Sequence, residues 1–255
     1  VKESAKAICV LGIPRSGTSL TARLLNLLGV YLGNPDHLLG PSPSNEAGHW
    51  ENVHLLAINE ALLARLGGSW DRPPPLPPGW EDRPDLADLR AQAAVMLAGE
   101  FREATLWGWK DPRNTLTFPF WKALVPGLQG VLCVRHPVAV ALSLQARNGF
   151  PPARSFRLWW TYNRVALRYL TASQSRWTVV FYEDCLEQPT RALARLASFI
   201  GLKGREREEA IRRAREAIKP RLRHHTAGGS PAIRLPPPTV RLHEHLREIA
   251  THLPP

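Results

Sequence analysis

The sequence predicts an α/β protein of three layers, α/β/α, around a central, mostly parallel sheet. Three observations carry that expectation: short apolar runs rich in strand-forming residues, longer segments of helical period between them, and polar or glycine-bearing turns where each apolar run ends. Alternation of this kind places helices on both faces of a sheet whose strands read as continuously apolar.

Taken in order, AICVLG (Ala7 to Gly12) reads as a buried strand ending in glycine. SLTARLLNLLG follows with apolar residues at Leu20, Leu24, Leu27 and Leu28, a helix with Gly29 placed to close it. LGPSPSNEAGHWEN is a polar connection into a helix over VHLLAINEALLARLG, and the proline-dense DRPPPLPPGWEDRP reads as an extended surface excursion. DLADLRAQAAVMLAGEFRE is helical. TLWGWKDPR reads as a short strand running into a loop, with Lys110 and Asp111 at its end. GVLCVRHP is another buried strand, entering the helix VAVALSLQARNG at Pro137. SFRLWWTYNRVALRYL is helical, RWTVVFYED is a strand with charges at its end, and EQPTRALARLASFIGL is an amphipathic helix closed by glycine. EREEAIRRAREAI is a helix of mixed charge. The organisation expected is one domain over residues 1–255, with 40–90 as an insertion and 220–255 as a basic, proline-containing C-terminal segment.

Composition bounds the function. Of 255 residues 44% are hydrophobic, an ordinary share for a globular chain, and no apolar run approaches the roughly 18 residues of a membrane span. No secretory pattern opens the sequence, so a cytoplasmic location is expected. Cys9, Cys133 and Cys185 have neither metal-ligand nor disulfide spacing, and they fit a reducing compartment. A net charge of +11 points to an anionic ligand, yet no nucleic-acid recognition motif accompanies it.

GIPRSGTS, Gly12 to Ser19, lies between the first strand and the first helix. It keeps the glycines and terminal hydroxyl of a phosphate-binding P-loop, but Thr18 occupies the lysine position and Arg15 stands inside the loop. Backbone N–H groups and the helix N-terminus converge on an anion in such a loop. Phosphoryl transfer from a triphosphate needs Mg²⁺ and lysine to neutralise charge.

PRSGTS, RHPVAVALS and FYEDCLEQP, each following a strand and occurring in this order, resemble the sulfotransferase family, as do GHWEN, WKDPR and FPFW. The resemblance covers Ile8 to Leu202 and is similar to the bacterial branch of that P-loop-like superfamily. It implies 3′-phosphoadenosine 5′-phosphosulfate (PAPS) as donor and 3′-phosphoadenosine 5′-phosphate (PAP) as product, with no metal required. It implies that Pro14, Arg15, Ser16, Gly17, Thr18 and Ser19 hold the 5′-phosphosulfate. Arg15 here replaces the lysine of many relatives. Arg135 and Ser143, eight residues apart, would bind the 3′-phosphate, and Tyr182 the adenine. Lys110 would stand near the leaving oxygen. For the general base the resemblance offers Glu51 first and His49 second, with Glu46 nearby; capping of the next helix is the alternative role for Glu51. Asp111 and Arg113 orient Lys110, contact the acceptor or form a structural ion pair. Arg221, Arg223 and His224 match a basic loop over the nucleotide poorly, with Arg223 the donor-binding candidate. Trp50, Trp70, Trp80 and Trp107 are either acceptor-pocket or core residues.

The implied reaction is in-line sulfuryl transfer to a hydroxyl or amine of a small-molecule or carbohydrate acceptor. The alternative is a P-loop kinase using ATP, for which Asp111 is the candidate metal-binding carboxylate.

Overall fold

The apolar runs form the four strands β1 (Lys6–Leu11), β2 (Leu106–Lys110), β3 (Gln129–Val134) and β4 (Trp177–Phe181). The computed structural model describes residues 5–42, 48–216, 218 and 233–253. All three strand pairings are parallel, in the order β2-β1-β3-β4. Lys6 pairs with Leu106, Ile8 with Gln129, and Gly130 with Trp177 at the leading ends of the ladders. The chain leaves β1 for one neighbour and returns across it to the other, so β1 and β3 flank the topological switch point. Open parallel sheets bind ligands at that crevice, beyond the carboxyl ends of their strands.

Helices follow as α1 (Thr18–Leu27), α2 (Val53–Arg65), α3 (Ala87–Phe101), α4 (Asn114–Leu124), α5 (Pro137–Asn148), α6 (Pro152–Ala172), α7 (Tyr182–Glu187), α8 (Pro189–Ile200), α9 (Gly204–Glu216) and α10 (Pro237–His252). Alternate strand residues face opposite layers. Cys9, Leu11, Leu132 and Phe181 join one core with α3, α4 and α6, while Ile8, Val10, Val131 and Cys133 join another with α1 and α8. This is the predicted three-layer α/β/α architecture with a parallel sheet. Among the described residues no helix is long and apolar enough to cross a membrane.

Three helices lie where no helix is expected from the sequence: α4, α7 and α10. β4 ends at Phe181, so Tyr182 to Asp184, expected as the end of that strand, form the first turn of α7. Pro119 sits inside α4 and removes one backbone donor, but the helix buries Phe118, Phe120 and Trp121 fully. Tertiary burial there overrides the proline signal. α10 emerges from a proline run and packs on α6 and β4 through Leu246 and Ala250. The proline-dense stretch after Asp71 is only partly a surface excursion, because Trp80 is buried and its Nε1 donates to Tyr169 Oη at 3.0 Å. Trp107 is likewise core, stacked on Phe101 and Trp109.

Candidate active site

The loop after β1 is shaped by a tight turn. Ser16 N donates to Ile13 O at 3.1 Å, closing a four-residue turn with Pro14 in its second position and Arg15 in its third. Arg15 has φ 75, a conformation that the third position of a type II turn demands and usually fills with glycine. A non-glycine residue held there costs about 1–3 kcal/mol, which the surroundings must offset. The compensation is visible: Arg15 Nε donates to Ser143 Oγ at 2.8 Å, and Arg135 Nη1 donates to Arg15 O at 3.2 Å. Gly12 N is fixed from below by Thr115 Oγ1 at 2.8 Å.

Gly17 opens α1 with φ 94 and no side-chain cap, and no acidic residue lies in the first turn. The amides of that turn are therefore presented to an anion. A Cβ on Gly17 would stand 2.5 Å from Tyr182 Cδ2, so the absence of a side chain lets the ring lie against the loop. The guanidinium of Arg135 sits 4.4 Å above the same ring. Burial lowers the pKa of Arg15, and the neighbouring charges of Arg147 and Arg135 lower it further. Burial also lowers that of Arg135 and raises that of Tyr182. Arg15, Arg135, Ser143 and Tyr182, spread over 168 positions of sequence, thus share one wall at the switch point. Ser16 is buried, and its Oγ has no hydrogen-bond partner among the described residues; Thr18 is buried beside it in the first turn of α1.

The neighbouring edge is built differently. Lys110, the last residue of β2, is 2% exposed and donates to Glu51 Oε1 at 2.6 Å, to His49 O at 2.9 Å and to Ser19 Oγ at 3.0 Å. Ser19 Oγ in turn donates to His49 O at 3.2 Å. Burial raises the Glu51 pKa, outweighing the attraction of Lys110, and burial lowers the Lys110 pKa against the attraction of Glu51. Glu51 Oε2 is buried with no hydrogen-bond partner among the described residues. Glu51 does not cap the next helix: Asn52 does, its Oδ1 accepting from His54 N and Leu55 N. His49 Nε2 lies 2.7 Å from Ser42 Oγ, and its Nδ1 is 3.9 Å from Glu51 Oε2. Burial and the charges of Lys110, Arg147 and Arg15 lower its pKa, keeping the ring neutral at pH 7.

Asp111 and Arg113 form a structural pair. Asp111 Oδ2 accepts from Asn59 Nδ2 at 2.9 Å, and its Oδ1 accepts from Arg113 N and Nη1. Asn59 also bonds Asn114, Thr117 and Trp121, so this buried network ties α2 to α4 beneath the loop. The carboxylate that a kinase would use for its metal is therefore committed to protein donors. Trp70 stacks on Phe150, and Trp50 is half-buried with φ 65. Glu46, Arg221, Arg223 and His224 fall outside the described residues.

Sequence reasoning missed Arg147 and Asn59. Arg147 lies one turn beyond Ser143 on α5 and acts electrostatically on both Arg15 and His49; the four-residue spacing from Ser143 was the available signal. Asn59 carries no local signal inside an apolar helix.

Comparison with known proteins places this geometry. A family model described as "Sulfotransferase family" matches residues 7–206. The sulfotransferase domain from the Synechococcus PCC 7002 olefin synthase is 21% identical with a TM-score of 0.54, over 97% of this chain and 97% of that one. Sulfotransferase STF9 from Mycobacterium avium is 14% identical with a TM-score of 0.54, over 82% of this chain and 67% of that one. Identities this low speak for the shared fold. No curated protein matches the chain.

Proposed function

We propose, for a chain that belongs to the sulfotransferase family, that it transfers a sulfuryl group from PAPS to a hydroxyl or amine of a small acceptor, with Glu51 as general base. The observation that carries this reading is the wall at the switch point. Arg15 and Arg135 converge there with Ser143, Tyr182 and the start of α1, which has no side-chain cap. Such a cradle fits a nucleotide with two separate anionic groups. Arg15 and the amides of residues 16–19 hold the 5′-phosphosulfate, Arg135 and Ser143 the 3′-phosphate, and Tyr182 the adenine.

The donor supplies an electrophilic sulfur bonded through oxygen to a phosphate leaving group. Lys110 stands within reach of Ser19 at the end of the loop, where a fixed cation stabilises charge growing on that oxygen. Glu51 has one oxygen on Lys110 and the other unengaged, and takes the acceptor's proton as the new bond to sulfur forms. Burial makes its carboxylate more basic than an exposed one. His49 contributes through its carbonyl, which holds Lys110 and Ser19 in register. Residues 40–90 supply the acceptor side. Three buried, unbridged cysteines support a reducing, cytoplasmic setting.

Calorimetric titration tests the donor assignment. PAP binds at micromolar concentration or tighter, 5′-AMP binds more weakly, and Arg135→Ala removes the difference. Equal or tighter binding of Mg²⁺–ATP would overturn the assignment in favour of phosphoryl transfer.

A further inference from the structure

Helix α10 lies beyond residues 7–206 matched by the family model, yet it touches both segments that build the donor wall. One of these is the turn after β3, where His136 follows Arg135 and opens α5, its Nδ1 accepting from Val138 N at 3.3 Å. The other is the start of α7, where Glu183 and Asp184 follow Tyr182. Glu183 Oε1 already joins the two by accepting from His136 N at 2.9 Å.

α10 fastens that junction from outside. Arg247 Nη1 donates to Asp184 Oδ1 at 2.7 Å, its Nη2 lies 3.7 Å from Glu183 Oε2, and its guanidinium stacks 3.6 Å above the ring of Phe181, the last residue of β4. One turn earlier on the same face, the His243 ring meets His136 edge-on at 5.2 Å and packs against Phe181 and Trp159. Trp159 Nε1 donates to Arg135 O at 2.9 Å. A solvent-facing arginine–aspartate pair alone contributes little. Here a cation held by two carboxylates and an aromatic face fixes where the backbone of His136 sits relative to Tyr182, and so where the Arg135 guanidinium points.

We infer that Arg247, with His243, is a positioning residue of the donor site: α10 holds the Arg135 and Tyr182 segments at the separation that a 3′-phosphorylated nucleotide requires. The inference rests on the donor reading above. It separates recognition of the 3′-phosphate from recognition of the rest of the nucleotide. Loosening α10 acts first on Arg135, while the loop keeps its ties from Gly12 N to Thr115 Oγ1 and from Ser16 N to Ile13 O.

The test compares PAP and 5′-AMP affinities by calorimetry in the wild type, Arg247→Ala, Arg247→Lys and Asp184→Asn, with thermal melts alongside. Arg247→Ala weakens PAP binding about tenfold, the loss of one charge-assisted contact, and leaves 5′-AMP binding within about twofold. Arg247→Lys restores much of the ratio, and Asp184→Asn, which keeps the stacking on Phe181, reproduces part of the loss. A purely structural role for α10 moves the melting temperature and both affinities together. Parallel losses, or an unchanged PAP to 5′-AMP ratio in the folded variants, would overturn the inference. A wild type that does not prefer PAP would overturn the donor reading instead.

Discussion

The two edges of the site solve opposite electrostatic problems. The proposed donor wall gathers Arg15 and Arg135 at the switch point with Arg147 near Arg15, where burial first and then the charges of Arg147 and Arg135 lower the Arg15 pKa. The acceptor edge buries one cation and one carboxylate against each other, 2.6 Å apart. The first concentrates positive charge, the field that attracts a polyanion. The second is already neutral as a pair. The proposed function divides binding and chemistry between these two edges, and variants of each should fail differently.

The largest expected effect is at the neutral edge. Glu51→Gln removes the proton acceptor but keeps a hydrogen-bonding group on Lys110, so kcat falls roughly 10²–10⁴-fold, while PAP affinity stays within about twofold. Lys110→Ala, which leaves Glu51 buried without its cation, also costs about 3–5 kcal/mol of stability. Because burial raises the Glu51 pKa above its ordinary 4.5, the acid limb of the wild-type rate profile lies above that value: activity appears as Glu51 deprotonates with rising pH. Wild-type turnover in Glu51→Gln would erase the distinction between the edges.

On the donor side, Gly17→Ala is the sharper probe. Its φ of 94 costs a side chain roughly 1–2 kcal/mol, and the new Cβ would meet Tyr182 at 2.5 Å. PAP affinity drops about tenfold or more by that measure, with the Lys110–Glu51 pair untouched. A variant that instead loses kcat at saturating donor would show that the two halves are one unit.

The smallest effect concerns α10. His243 is half-buried among rings and near Arg247, and burial first, then His136 and Arg247, lower its pKa from 6.5 to about 4. An unfolded histidine takes up its proton near 6.5 while the folded one resists until about 4, so acidification through that window favours the unfolded chain. The melting temperature should fall by a few degrees across it, and His243→Phe should flatten the decline. Superimposable pH profiles for the two proteins would remove the histidine from the account.

Much of this was legible in the sequence because it is local. Continuous apolar runs gave the strands and period-3.6 patterns most helices, and GIPRSGTS announced its own turn through Pro14 and the glycines on either side. The family resemblance named Arg135, Ser143, Lys110 and Glu51 from motifs each contained in one segment. Where the alphabet of local signals conflicted with burial, it misled: Pro119 hid α4 and the Pro236 to Pro238 run hid α10, whereas for Trp80 and Trp107 burial selects the core between the two roles left open.

The sequence by itself determined the layers, the loop and the charge types, since backbone preference and hydrophobic period act over a few residues. Only the tertiary structure decided which charges compensate one another. Arg15 meets Ser143 across 128 positions, Lys110 meets Glu51 across 59, and Arg247 meets Asp184 across 63. Those pairings depend on strand order and on the crossing at β1 and β3, and the energy of a charge is set by whatever the fold brings beside it.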